Sequence, residues 1–153
     1  PFQIESAALD AAREASMDLV RPNPPINIYD PTWPIRTHHD HRPPARIEHD
    51  GTHQPPNVIN SMLAGGCRIC SGTVERSILS IDTYVSPEAH VSESVLMSRV
   101  RIGHGARVRR ALVDKDVEVP PGEEIGYDLE GDRRRFLVTD RGIVVVPRHF
   151  VFG

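Results

Sequence analysis

Cys67 and Cys70 stand three apart in Cys67-Arg-Ile-Cys70. At that spacing two thiolates can share a zinc ion or cycle between dithiol and disulfide. Either chemistry needs both sulfurs on one side of the chain. In an extended strand, residues three apart point to opposite faces, and a structural zinc would want two further ligands. The pair therefore reads as two reduced, structural cysteines. The run His38-His39-Asp40-His41 gathers imidazoles and a carboxylate, but it lies between Pro34 and Pro43 in polar chain poorly suited to holding ligands in fixed geometry. No metal is expected on either motif. His90 and His104 are candidates of another kind, since a histidine near a subunit interface can act as the base of an acyl transfer. Arg107, Arg109 and Arg110 form one basic cluster, and Arg133, Arg134 and Arg135 another. The second is opposed by Asp128, Glu130 and Asp132, a pattern of solvent-facing ion pairs each worth less than about 1 kcal/mol. With 5% aromatic residues and a net charge of −3, neither cluster makes a stacking platform for nucleic acid.

A repeat must position these side chains. Ser61, Ser77, Ser94 and Ala111 each open a short apolar step, and successive openings lie 16, 17 and 17 residues apart. The inward aliphatics fall in one frame: Leu63, Ile69 and Val74, then Leu79, Val85 and Val91, then Leu96, Ile102 and Val108, then Val113, Val119 and Ile125. Within each group the step is about six residues, which gives one inward aliphatic per flat side; three sides close a triangular coil of hexapeptide type. Gly65, Gly72, Gly103, Gly105 and Gly122 fall near the corners, where positive backbone dihedrals are cheapest without a Cβ. The competing architecture is a β-sandwich, whose strands seldom keep a fixed period and phase over four copies.

The chain length of 153 residues suits about one domain with a real core. Ile4, Ala8, Leu9, Ala12, Ser16 and Leu19 recur at helical spacing, so a helix is expected from about Glu5 to Leu19, stopped by Pro22, Pro24 and Pro25. Its apolar face needs a partner, either another domain or the side of the coil. Most of the 14 prolines fall between Pro22 and Pro56 and mark a linker. The expected division is a helix over 1–20, a proline-rich linker over 21–56 and the coil over 57–153. No stretch approaches the roughly 20 apolar residues of a membrane span, and a cytoplasmic setting is the default expectation.

Several phrases carry a resemblance. Asn23-Pro-Pro-Ile-Asn-Ile-Tyr-Asp and Trp33-Pro-Ile-Arg-Thr are followed by Val58-Ile-Asn-Ser, Gly65-Gly-Cys, Val100-Arg-Ile-Gly and Arg109-Arg-Ala-Leu-Val-Asp-Lys. Ile125-Gly-Tyr-Asp, Asp132-Arg-Arg-Arg-Phe and Gly142-Ile-Val-Val-Val complete the series. In this order, over roughly residues 8 to 148, they resemble the carboxyl-terminal domain of bacterial glucose-1-phosphate adenylyltransferase, also called ADP-glucose pyrophosphorylase. The resemblance implies a left-handed parallel β-helix used for regulation and subunit contact, in a family whose subunits form tetramers. It also implies that ATP and magnesium belong to an amino-terminal catalytic domain, so that this chain carries no cofactor and no catalytic residue. The family's Trp-Arg-Asp-Val-Gly-Thr is replaced by Gln3-Ile-Glu-Ser-Ala-Ala8, where only Glu5 keeps a carboxylate.

Two site residues follow from the same likeness. Lys115, in Val113-Asp114-Lys115, and Arg148, after the Gly142-Ile-Val-Val-Val strand, match family positions that contact phosphorylated effectors. Lysine supplies a point charge and arginine a planar fork, so the pair could clamp a sugar phosphate; the family's effectors include sugar bisphosphates, pyruvate and AMP. Phe152 stands where the family can place another arginine. Two other functions fit a coil of this kind. One is a hexapeptide-repeat acyltransferase using His90 or His104, although no long loop to cover an acyl carrier breaks the repeat. The other is a pure assembly module whose apolar tail, with Phe150, Val151 and Phe152, docks on a neighbouring subunit.

Overall fold

The structure is a computed structural model that describes residues 2–34 and 41–153, with side chains from Ser6 onward. The side chain of Glu5 and the His38-His39-Asp40 part of the histidine run lie outside the described residues, and His41 is exposed. Helix α1 (Phe2–Leu19) comes first. A parallel β-solenoid follows. Its first turn is β1 (Arg46–Glu48), β2 (Asn57–Ile59) and β3 (Met62–Leu63), and its second is β4 (Arg68–Cys70), β5 (Thr73–Glu75) and β6 (Ile78–Leu79). The third turn is β7 (Tyr84–Val85), β8 (His90–Ser92) and β9 (Val95–Leu96); the fourth is β10 (Arg101–Ile102), β11 (Arg107–Arg109) and β12 (Ala111–Val113). A fifth begins with β13 (Glu118–Val119) and β14 (Glu124–Ile125). The chain then leaves the coil through α2 (Leu129–Arg133) and β15 (Leu137–Val138) before β16 (Val144–Val146) closes the last side.

The three sides are three sheets, ordered β1-β4-β7-β10-β13, β14-β11-β8-β5-β2 and β15-β16-β12-β9-β6-β3. Pairing is parallel except between β15 and β16. Register places like on like: Ile69 faces Val85, Val74 faces Val91, and Leu79 faces Leu96. Ile102, Val108 and Val113 are fully buried, and Val119 is 2% exposed. Each such side chain is worth about 1.5–3 kcal/mol of burial, and the column repeats it turn after turn.

The serines that open the repeat do more than mark it. Each hydroxyl of Ser61, Ser77 and Ser94 donates to the carbonyl two residues back, of Ile59, Glu75 and Ser92. Each accepts in turn from the backbone N–H one turn ahead, of Ser77, Ser94 and Ala111. This ladder satisfies buried polar groups at a corner where strand pairing is interrupted.

The corners differ from the glycine expectation. Gly105 and Gly122 have positive φ, whereas Gly65, Gly72 and Gly103 do not. Non-glycine residues take the left-handed conformation instead, in columns one turn apart: Asn60, Arg76, Glu93 and Arg110 form one, and Asp82, Arg99, Asp116 and His149 another. Each costs roughly 1–2 kcal/mol for an L-residue. Inter-turn hydrogen bonds oppose that cost, as from the N–H of Arg99 to the Ile81 carbonyl and from Asp116 to Ser98, at 2.9 and 3.1 Å. Gly103 is needed for lack of a side chain, since a Cβ there would lie 2.5 Å from the nitrogen of Pro121 in the next turn.

The linker reading of 21–56 changes, because β1 lies inside it and pairs with β4 in the register Ile47↔Ile69. That 22-residue interval exceeds the repeat because the 49–56 loop bulges between β1 and β2. Helix α1 docks on the side of the coil through a mixed face: Leu9, Ala12 and Ser16 line an apolar groove against Met97, Leu112 and Pro147, and polar contacts flank it. Ser6 and Asp10 are buried, Leu9, Ser16 and Leu19 are half-buried, and Ala8 and Ala12 are exposed. The Thr139 hydroxyl donates to Asp10 at 2.5 Å, Arg13 donates to the Glu93 carbonyl at 2.8 Å, and Glu14 pairs with Arg141. The apolar tail folds back on its own coil. Phe150 and Phe152 lie 4.6 and 6.1 Å from Phe136, ring centre to ring centre, and Val151 alone of the three stays largely exposed.

Candidate functional site

The column Asp82, Arg99, Asp116 and His149 runs along one edge of the coil, one residue per turn. Because the corner residues are left-handed, their side chains project outward beside one another, and opposite charges alternate from Asp82 through Arg99 to Asp116. Asp82 pairs with Arg42 at 2.6 Å. The Arg99 guanidinium grips Asp116 with both arms, Nε at 2.5 Å from Oδ1 and Nη2 at 3.2 Å from Oδ2. Arg148 reaches the same carboxylate from the next strand connection, its Nη2 at 2.7 Å from Oδ2. Hydrogen bonding from Arg99, then the charges of Arg99 and Arg148, hold the Asp116 carboxyl below its ordinary range.

Asp114 ties the two site segments together. Its Oδ1 accepts from the backbone N–H of Lys115 at 2.7 Å and its Oδ2 from that of Arg148 at 3.3 Å. With Val113 paired to Val146, Lys115 and Arg148, 33 positions apart in sequence, share a corner, and both are exposed. Among the described residues the Lys115 ammonium has no ion-pair partner, whereas the Arg148 fork is engaged by Asp116. Arg99, Lys115 and Arg148 against Asp114 and Asp116 leave the corner net positive. Phe152 belongs to the aromatic cluster with Phe136 and Phe150.

The remaining candidates are dispersed. Cys67 is buried and donates to the Ser80 carbonyl at 3.0 Å; burial pushes its thiol pKa up. Cys70 is only partly buried, and the two thiols are not bonded to each other. His90 pairs with Glu75 at 3.3 Å and His104 with Glu88 at 3.0 Å. Arg107 pairs with Glu124 at 2.9 Å, and Arg107 and Arg109 both cover the Tyr127 ring. Arg133 and Arg135 pair with Glu130 and Asp132 as their alternation suggested, but around a short helix in place of a loop. Asp128 caps that helix, and buried Asp132 accepts from the Gly126 N–H at 2.8 Å. Sequence reasoning missed His53, which the 49–56 loop brings to His104. No periodicity marks that loop.

Stacked six-residue sides with a buried aliphatic on each define a hexapeptide-repeat protein. Residues 43–146 match the family described as GlmU-like, C-terminal hexapeptide, and the chain belongs to it. Over 93% of its length it is 42% identical to glucose-1-phosphate adenylyltransferase of Koribacter versatilis. It is 43% identical over 94% to that of Deinococcus radiodurans, and 38% identical over 95% to that of Nitrosospira multiformis. The matched part is the carboxyl-terminal portion of each relative, 34% or 35% of its length, so the chain spans about a third of the curated relatives it matches. No helix among the described residues is long and apolar enough to cross a membrane.

Proposed function

We infer that this chain is the regulatory and oligomerisation part of a glucose-1-phosphate adenylyltransferase, which makes ADP-glucose and pyrophosphate from ATP and glucose 1-phosphate for glycogen synthesis in the cytoplasm. The chain is not catalytic by itself. ATP and magnesium belong to the part of the relatives that it does not span. Its own ligand is a phosphorylated metabolite, with a sugar bisphosphate the best match to two cations on one corner.

The observation that carries this reading is that the β12–β16 register and the Asp114 bridge bring Lys115 and Arg148 side by side, while no described residue pairs with the Lys115 ammonium. An arriving phosphate takes the lysine directly and competes with Asp116 for the Arg148 fork. Because that arginine already has a carboxylate partner, binding is an exchange of anions, and its strength falls with added salt. The flat sides and ends of the coil serve subunit contact in a homo-oligomer, a tetramer as in the family.

Calorimetric titration of the chain with fructose 1,6-bisphosphate tests the reading. Saturable binding that weakens at least roughly tenfold in both Lys115→Ala and Arg148→Ala is expected, since a charge-assisted pair contributes about 1.5–3 kcal/mol. Binding that ignores both substitutions, or turnover of ATP and glucose 1-phosphate by the chain alone, would overturn it.

A further inference from the structure

Away from the Lys115 corner, three side chains from separate turns converge. His53 comes from the 49–56 loop of the first turn, Glu88 from a corner of the third, and His104 from the fourth. One ligand-capable atom from each lies within 4.8 Å of the other two. His104 Nε2 is 3.0 Å from a Glu88 carboxylate oxygen, and the His53 and His104 rings meet edge to face with centres 5.3 Å apart. We propose that His53, Glu88 and His104 form a binding site for a divalent transition-metal ion, with zinc the best fit.

The donor set points to the ion. Two imidazoles and one carboxylate suit zinc and its late transition-metal neighbours, whereas calcium and magnesium want oxygen alone. Tetrahedral zinc, with bonds of about 2.0–2.1 Å, sets its ligand atoms roughly 3.3 Å apart. The Glu88–His104 separation of 3.0 Å is a few tenths of an ångström under that spacing, so the two side chains need only part slightly. The remaining closure falls on partly exposed side chains, which turn without disturbing the coil. A fourth position is left to water.

The His53 ring is held in advance. Its Nδ1 lies 2.5 Å from Asp50 Oδ2, which leaves Nε2 as the nitrogen for an ion, the carboxylate–histidine–metal pattern of oriented ligands. Asp50 is itself fixed: its Oδ1 accepts from the backbone N–H of Thr52 and His53 and from the Ser71 hydroxyl, at 3.0, 2.9 and 3.0 Å. The Asp50 N–H donates back to that hydroxyl at 3.1 Å. Ser71 in turn belongs to the same corner as Glu88, whose N–H donates to the Ser71 carbonyl at 3.0 Å. The loop, the carboxylate and the corner thus form one hydrogen-bonded unit, and a bound ion would tie the first turn to the fourth.

Zinc titration of the metal-stripped 153-residue chain, read by competition with a chromophoric chelator, tests the site. One zinc per chain is expected here, with cobalt giving the intense visible bands of four-coordinate geometry. His53→Ala, His104→Ala and Glu88→Gln each abolish those bands, and Asp50→Asn weakens zinc binding roughly tenfold. The metal-free unfolding temperature, measured alongside, shows that each variant still folds. Zinc that is retained in His53→Ala and His104→Ala but lost when His38, His39 and His41 are replaced would overturn the proposal, as would no binding above that of a denatured control. None of these readouts depends on Lys115 or Arg148.

Discussion

Asp116 shows what a single corner residue must do in this coil. Its backbone takes the left-handed conformation, at φ 62°, and its carboxylate accepts from two guanidinium groups. The paired arginines hold its pKa below the ordinary carboxylate value, so the charged form is favoured by folding. A depressed carboxyl stabilises the fold above its unfolded pKa, and that contribution disappears as pH falls through the folded value. Asp116→Asn should therefore melt below the parent at neutral pH, and the gap should close as the solution is taken below about pH 4. Melting curves across that range check this; a gap independent of pH would mean that the ion pairs are not its source. Lys115 and Arg148 could be singled out by likeness to a family, but their juxtaposition follows from the β12–β16 register, Val113 against Val146, which Asp114 reinforces. That residue's double acceptance joins chain segments that no short-range pattern links.

At the scale of elements, the solenoid is a compromise between strained corners and satisfied polar groups. The serine ladder runs through Ser61, Ser77 and Ser94 and ends at Ala111, which has no hydroxyl. The next strand on that side instead sends the Val144 N–H to the Arg110 carbonyl at 3.1 Å. Where turns approach most closely a side chain is excluded outright. Gly103→Ala drives a methyl against the backbone of Val119, Pro120 and Pro121. It should cost about 1–3 kcal/mol, seen as a lower denaturation midpoint. An unchanged midpoint would show that the turns can separate there. The buried columns were legible in sequence because each inward aliphatic recurs with the turn. Strand β1 was not, because the 49–56 loop displaces Ile47 from the period. The polar half of the α1 docking face was not legible, because apolar spacing says nothing of Asp10 meeting Thr139, which lies 129 residues away. Helix α2 and the antiparallel β15 fall in an excursion with no copy elsewhere in the chain to compare.

Over the whole molecule the two ends of the coil differ. Phe136, Phe150 and Phe152 close the carboxyl-terminal end, whereas at the other end Ile47, in register with buried Ile69, is 51% exposed. A coil whose turns touch only their neighbours gains stability by stacking, so the open end is where a covering surface adds most. The candidate sites follow the same geometry. Both the Lys115 corner and the His53–Glu88–His104 cluster are built by stacking, from residues distant in sequence that share an edge. Lys115 and Arg148 could be named by likeness to a family, whereas His104 reads from sequence as the base of an acyl transfer and not as a ligand; the neighbours of each emerge only when the turns are placed in register.

The Asp114-bridged corner of Lys115 and Arg148 is the proposed phosphate site. A crystal structure of the chain with fructose 1,6-bisphosphate at saturating concentration tests it most directly. One phosphate group is expected within about 3 Å of both the Lys115 ammonium and the Arg148 guanidinium, with Arg148 turned from Asp116 toward the ligand. A sugar bisphosphate bound elsewhere on the coil, with Arg148 still on Asp116, would contradict it.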